Sequence, residues 1–203
     1  VGRSCELALN AMIEDWRDAL DLGESVISVF LDLSKAFDTV NHELLLKKLF
    51  YYNFDFSLIE LLRDYLTNRF IRVSVNGQLS KKERLNVGVP QGSVLGPLLF
   101  IVYINDLAFL QLKSKLLLLA DDTTVYLHGP NLQNILENLS VDLSLLKNWL
   151  INNRLVLNLS KTYAIHFNKN NRLSNLYKNL SLKCGDDNIT FVTETKLLGV
   201  LID

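Results

Sequence analysis

Cysteine is scarce in this chain, with two in 203 residues, Cys5 and Cys184, and they lack the close spacing that a zinc site needs. Histidine is thin as well, at three residues, so no His/Cys cluster points to a transition-metal centre. Long apolar runs are also missing. The longest, Val94 to Ile104, is broken by Gly96 and Pro97 and falls short of the roughly 18 residues that span a bilayer. Nothing at the start resembles a secretory signal, so the expectation is a soluble domain in a reducing, intracellular compartment with no membrane partner. There is no basic excess either: the formal net charge is -1, whereas nucleic-acid binders usually carry one. No linker, repeat or low-complexity segment stands out, and the length predicts one or at most two domains.

The cations that are present are unevenly distributed. From Lys147 through Lys183 there is no Asp or Glu, while Lys147, Arg154, Lys161, Lys169, Arg172, Lys178 and Lys183 all fall there. Lys81, Lys82 and Arg84 form a smaller cluster. Such stretches suit a polyanion, and equally a solvated face.

With 49% hydrophobic residues the chain can bury a substantial core. Ser4 to Leu20 reads as a helix with Cys5, Leu9, Met12, Trp16 and Leu20 on one stripe. Val26 to Leu33 reads as a strand. Helices follow from about Asn41 to Tyr52 and from Ser57 to Thr67, the latter with Leu58, Leu61, Leu62 and Tyr65 on its apolar side. Arg69 to Val75 alternates like a strand and Asn76-Gly77 marks a hairpin. A helix is expected from Leu98 to about Leu110, and Asn131 to Leu150 carries leucines at three- and four-residue steps. Short strands are expected around Thr162 to Phe167, Leu180 to Lys183, Ile189 to Thr193 and Leu197 to Ile202, with Asn168 to Asn179 as a mobile loop. Helices over one face of a mainly antiparallel sheet make an α+β arrangement.

Three segments carry chemistry. Asp121-Asp122 follows the apolar run Leu116 to Leu119 and precedes the strand-like Thr123 to Tyr126. Two adjacent carboxylates in a tight turn with buried flanks repel each other unless cations sit there, although Asp-Asp is also ordinary turn chemistry. Asp186-Asp187, beside Gly185, is the internal control and reads as a solvated turn. Asp32 ends a β-branched apolar run, where a charge is tolerated if it faces a site, so it reads as a ligand. Gly88 to Pro97 holds three glycines and two prolines. It reads as a loop whose bare backbone and Gln91 amide a flat or phosphate-bearing ligand can approach, with Pro97 in the first turn of the following helix.

In order and spacing, Val29 to Asp38, Gly88 to Pro97 and Leu119 to Asp122 resemble motifs A, B and C of the reverse transcriptase domain of non-LTR (LINE-type, jockey-like) retrotransposons. Asn158 to Thr162 with Phe167 resembles that family's motif D. Lys196 to Asp203 resembles motif E, and Val1-Gly2-Arg3-Ser4 the end of the segment upstream of motif A. The resemblance covers essentially residues 1–203 and implies a polymerase palm with partial fingers and little or no thumb. It implies an RNA-directed DNA polymerase joining dNTPs to the 3′-OH of a DNA primer on an RNA template. Two Mg²⁺ ions, with Mn²⁺ as the substitute, would be held by Asp32, Asp121 and Asp122, with the Leu33 carbonyl as an extra ligand. Phe37 would pack against the incoming sugar, Gln91 and Gly92 would line the nucleotide and template face, and Lys161 would neutralise or protonate pyrophosphate. Asp38 reads as structural, a cap for the helix near Asn41.

Two departures stand out. Position 119 is Leu where the family usually has an aromatic, and the chain lacks the basic finger residues, thumb, endonuclease region and initiator Met of a complete polyprotein. The reading is therefore a fragment, working in cytoplasm and nucleus. The alternative is a catalytically inactive remnant that binds nucleic acid or protein. A two-metal nuclease is disfavoured, since no extra acidic or His ligands accompany Asp121.

Overall fold

The computed structural model describes residues 5–119, 122–169 and 180–203. The chain runs α1 (Cys5–Asp21), β1 (Ser25–Leu31), α2 (Ala36–Thr39), α3 (His42–Tyr51) and α4 (Phe56–Leu66), then the short strands β2 (Phe70–Ile71), β3 (Ser74–Val75), β4 (Gln78–Leu79) and β5 (Glu83–Arg84). It continues with α5 (Leu95–Ile104), a 3₁₀ turn at Asn105–Phe109, β6 (Lys115–Leu119), β7 (Asp122–Gly129) and α6 (Leu132–Asn152). A 3₁₀ turn at Leu159–Lys161 leads to β8 (Tyr163–Phe167), β9 (Leu182–Cys184), β10 (Asp187–Phe191), β11 (Thr195–Leu197) and β12 (Val200–Ile202). Two compact units result, the first built from Val1–Ser34, Ala108–Leu150 and Val156–Asp203, the second from Lys35–Leu107 and Ile151–Leu155.

The first unit is organised by a six-stranded sheet in the order β6-β7-β1-β8-β10-β9. Its pairs are antiparallel except β8 with β10, which is parallel. β1 lies inside the sheet, between β7 and β8, and its sequence says why. Val26, Ile27, Val29, Phe30 and Leu31 are all buried, and each such side chain contributes roughly 1.5–3 kcal/mol on leaving water. α1 buries Leu9, Met12, Trp16 and Ala19 at helical spacing. The Trp16 ring stands edge-on to Tyr126 at 5.7 Å and stacks on Phe167 at 4.9 Å. Lys115 adds a tie by donating to both Asp15 oxygens at 2.7 Å.

α6 is the leucine helix that the sequence predicts, with Leu136, Leu139, Leu143, Leu146 and Leu150 buried. Its apolar face also holds Asp142, 2% exposed, which accepts the Ser114 backbone N–H at 2.7 Å. That bond is what makes a buried carboxylate tolerable. The Asp186-Asp187 control is a turn as expected, closing the β9–β10 hairpin with Cys184 paired to Asp187. It is not wholly solvated, because Lys147 ion-pairs with Asp187 at 2.7 Å. That carboxylate raises the Lys147 pKa, and the pairing removes Lys147 from the free basic stretch.

Several expectations need correction. Leu116 to Leu119 was expected to be buried, but β6 is an edge strand and its leucines are only half-buried. Leu197 to Ile202 is not one strand: β11 and β12 form a hairpin turned by Leu198 (φ 50°) and Gly199 (φ 82°), the left-handed pair that a tight two-residue turn requires. The expected loop of Asn168 to Asn179 lies largely outside the described residues.

In the second unit α3 packs on α4 and α5. Asn41 caps α3 by accepting the Leu44 N–H at 3.0 Å, and Asp55 caps α4 through Ser57 at 2.8 Å. The buried stripe of α4 is Ile59, Leu62 and Leu66, not the expected Leu58, Leu61 and Tyr65; Leu61 faces solvent. Tyr103 is fully buried, and its hydroxyl donates to the Asn153 carbonyl at 2.5 Å and accepts the Asn41 N–H at 3.4 Å. Lys48 bridges the Tyr103 carbonyl and Asp106, each at 2.6 Å. The helix expected from Leu98 begins earlier, at Leu95, so that Gly96 and Pro97 sit inside its first turn.

Candidate active site

Three strand ends meet in the first unit. β1 pairs with β7 down to Leu31↔Thr123, so the next positions of that register are Asp32 and Asp122. On the other side β1 pairs with β8 to Phe30↔Tyr163, and continuing that register two residues reaches Lys161. Asp32, Asp122 and Lys161 all line one cleft of about 290 Å³. Asp32 is half-buried and Asp122 is exposed. Asp121 lies outside the described residues, bracketed by the pair Leu119↔Asp122.

Backbone bonds fix Asp32. Its N–H donates to Thr162 Oγ1 at 3.3 Å, and its carbonyl accepts the Asn158 N–H at 2.8 Å. Thr162, 1% exposed, is itself held by donating to the Asn158 carbonyl at 2.9 Å. Leu33 bridges Leu157 while Ser34 N–H bonds Val156 and Asn158 N–H bonds Asp32. In that antiparallel pattern Leu33 holds the non-hydrogen-bonded position, so its own carbonyl points away from Leu157. Among the described residues no cation ion-pairs with the Asp32 carboxylate.

The donor set fits a hard divalent cation. Asp32 and Asp122 offer carboxylate oxygens and no His or Cys lines the cleft, whereas Leu33, the expected carbonyl ligand, is not among its lining residues. Among the described residues, His, Cys, Asp and Glu do not gather in groups of three or more; Asp32 and Asp122 are a pair to which Asp121 is the neighbour in sequence. Sequence reasoning missed Thr162 as the anchor of Asp32, and Thr195 and Lys196 as cleft residues. Thr162 and Lys196 stand inside segments with a recognisable pattern, but a buried hydroxyl bond and a hairpin turn leave no periodic signal.

The other predicted residues belong to the second unit. Phe37 is half-buried and packs on Phe100 with ring centroids 4.6 Å apart. Asp38 is not the cap of α3, a role that Asn41 fills; its Oδ1 accepts the Gln91 side-chain N–H at 2.8 Å. The glycine loop is stitched to the α2–α3 junction. Gly88 N–H bonds the Val40 carbonyl at 2.7 Å, Val89 N–H the Phe37 carbonyl at 2.8 Å, and His42 Nε2 meets the Gly88 carbonyl at 2.8 Å. Gly92 is exposed with φ +74° and open space around it.

Gly88 and Gly92 differ in what a methyl group would meet. At Gly88, φ is +89° and an added Cβ lies 2.8 Å from the Asp38 carbonyl oxygen. Gly88→Ala is expected to cost about 1–3 kcal/mol, while Gly92→Ala costs only about 1 kcal/mol for the left-handed backbone. Urea unfolding of both variants checks the order.

Residues 3–202 match the family model described as reverse transcriptase (RNA-dependent DNA polymerase). The chain is 36% identical over 124 residues to the probable RNA-directed DNA polymerase from transposon X-element of Drosophila melanogaster, covering 58% of this chain and 13% of that protein. It is 31% identical over 160 residues to the RNA-directed DNA polymerase from mobile element jockey of the same species, covering 74% of this chain and 17% of that protein. The chain thus spans under a fifth of the length of these curated relatives. Among solved structures, telomerase from Candida tropicalis in complex with a TWJ fragment of telomeric RNA superposes with a TM-score of 0.61 at 18% identity. That match covers 84% of this chain and 30% of the telomerase chain, and it shows a shared palm-like α+β fold.

Proposed function

Because the chain belongs to the reverse transcriptase (RNA-dependent DNA polymerase) family, we propose that it is the palm, with part of the fingers, of a non-LTR retrotransposon polymerase that copies RNA into DNA. The observation that supports this most is the shared cleft, into which separate strand ends deliver Asp32, Asp122 and Lys161. Phosphoryl transfer requires that arrangement, since it gains little from covalent catalysis and much from placed charge.

In this reading Asp32, Asp121, Asp122 and the Leu33 carbonyl would hold Mg²⁺, which would supply the positive charge that a primer 3′-oxygen and a dNTP triphosphate need. The chain's own task is positioning. Thr162 and Asn158 hold the Asp32 backbone, so the main chain that carries its carboxylate is in place before any ligand arrives. Lys161 supplies a cation, or a proton, to the departing pyrophosphate. In the second unit Phe37 excludes the 2′-hydroxyl of a ribonucleotide, its ring braced by Phe100, and Gln91 and Gly92 face the nucleotide and template. The Asp38 carboxylate holds the Gln91 amide for that role.

Primer extension on poly(rA)/oligo(dT) with Mg²⁺ tests the reading. The longer polyprotein that contains this chain is expected to extend the primer and its Asp121→Asn form to fail, with the isolated chain weaker than its parent. An unchanged rate in Asp121→Asn removes catalysis from this pair of carboxylates.

A further inference from the structure

Residues 70–87 of the second unit are exposed throughout, and they build one protruding ribbon. β2 pairs with β5 and β3 with β4 around the Asn76-Gly77 tip, and the two pairs are linked by the Ser80 N–H bonding the Val73 carbonyl at 2.8 Å. A ribbon of this size buries no core of its own. Its composition is unlike the rest of the chain: Arg69, Arg72, Lys81, Lys82 and Arg84 stand against the single carboxylate Glu83, in a chain of net charge -1.

The pairing sorts these charges by face. Phe70 lies opposite Arg84, and Ile71 opposite Glu83, so the two pairs project to opposite sides. Lys82 lies two residues before Arg84, just outside β5, and its Nζ sits 4.1 Å from the Phe70 ring centre. Arg72 has the same parity as Phe70. Arg84 and Lys82 thus lie beside Phe70, with Ile71 and Glu83 on the other face and Arg72 one residue beyond the end of β2. Some lysines elsewhere are ion-paired, Lys48 with Asp106, Lys115 with Asp15 and Lys147 with Asp187. Among the described residues no ion pair engages Arg72, Lys82 or Arg84.

We propose that this face is a docking surface for the phosphate backbone of a single RNA strand, held by Arg72, Lys82 and Arg84. Unpaired cations on an exposed, extended scaffold are complementary to a linear polyanion. Two residues of extended chain span about 6.6 Å, so Lys82 and Arg84 are spaced on the scale of the step between successive phosphates. Contacts of this kind position a strand and read no bases. The choice of RNA rests on the function proposed above; the charge argument does not.

Fluorescence anisotropy of a labelled single-stranded RNA oligonucleotide, titrated with this chain between about 50 and 200 mM salt, tests it. Replacing Arg72, Lys82 and Arg84 together by Gln is expected to lower the slope of log K against log salt by about two, three contacts at about 0.7 each. Arg72→Lys with Arg84→Lys keeps the slope. An unchanged slope in the triple Gln variant overturns the proposal, as does one-for-one displacement of the RNA by polyglutamate, which would mark an acidic polypeptide as the partner. Primer extension by the parent polyprotein, measured in parallel, separates the two readings. Absent extension with ribbon-dependent RNA binding counts against the polymerase and leaves the ribbon's role standing.

Discussion

Asp32→Asn is expected to lower nucleotidyl transfer by the parent polymerase on the order of 10³-fold, the scale seen when one electrostatic stabiliser is removed from a preorganised site. The same change is expected to stabilise the fold in metal-free buffer. Asp32 and Asp122 occupy the positions that follow Leu31↔Thr123, the last pair of the β1–β7 register, and line one cleft, and no described cation ion-pairs with Asp32. Removing one of the like charges that line this cleft relieves repulsion on the order of 0.2–1 kcal/mol at most. Asn preserves the backbone bonds to Thr162 and Asn158, so the side chain's place in the cleft is kept. Opposite signs for activity and stability distinguish a ligand from a structural carboxylate. If Asp32 merely capped a turn, Asn would leave the rate nearly intact and stability level or lower. Thermal unfolding in the presence of a chelator, together with single-turnover primer extension, reads both signs.

Trp16→Ala carries the largest expected loss of stability, about 3–5 kcal/mol. Trp16 is 5% exposed and joins α1 to the sheet through Tyr126 and Phe167. No described group hydrogen-bonds its indole N–H. Trp16→Phe, which keeps an aromatic ring and removes an unsatisfied donor, is therefore expected to cost well under half as much. Denaturant midpoints of the two variants measure the gap. Equal losses would mean that the indole nitrogen, and not ring packing, holds α1 in place.

The parts of this molecule that were legible in the sequence are those with a period or a punctuation mark. The α1 stripe of Leu9, Met12 and Trp16, the leucine ladder of α6, the apolar β1 and the Asn76-Gly77 hairpin follow from spacing alone. The resemblance to the reverse transcriptase family, and not spacing, implied that Asp32 and the Asp121-Asp122 segment converge; Asp32 and Asp122 line one cleft, and Asp121 lies outside the described residues. What the sequence concealed depends on tertiary neighbours. Leu116 to Leu119 looks like a buried run, but its place at the edge of the sheet leaves it half-buried. Of the expected Leu58, Leu61, Leu62 and Tyr65 only Leu62 is buried, and α4 turns Ile59 and Leu66 inward beside it. Asp38 resembles a cap and is bound to Gln91 across 53 residues of sequence. The Leu198-Gly199 turn was hidden because Leu rarely adopts a left-handed backbone. Thr162, the anchor of Asp32, belongs to the same class: a single buried hydroxyl bond between distant segments has no sequence signature.

Localised backbone cleavage by Fe²⁺ substituting for Mg²⁺, with peroxide and ascorbate, tests the placement of the cation directly, since hydroxyl radicals cut the chain where the metal sits. Cuts are expected to cluster at the end of β1 near Asp32 and at the start of β7 near Asp122, to be suppressed by excess Mg²⁺ and to be lost in Asp32→Asn. Cleavage that spares both strand ends, or that concentrates at the Asp186-Asp187 turn instead, would contradict that placement.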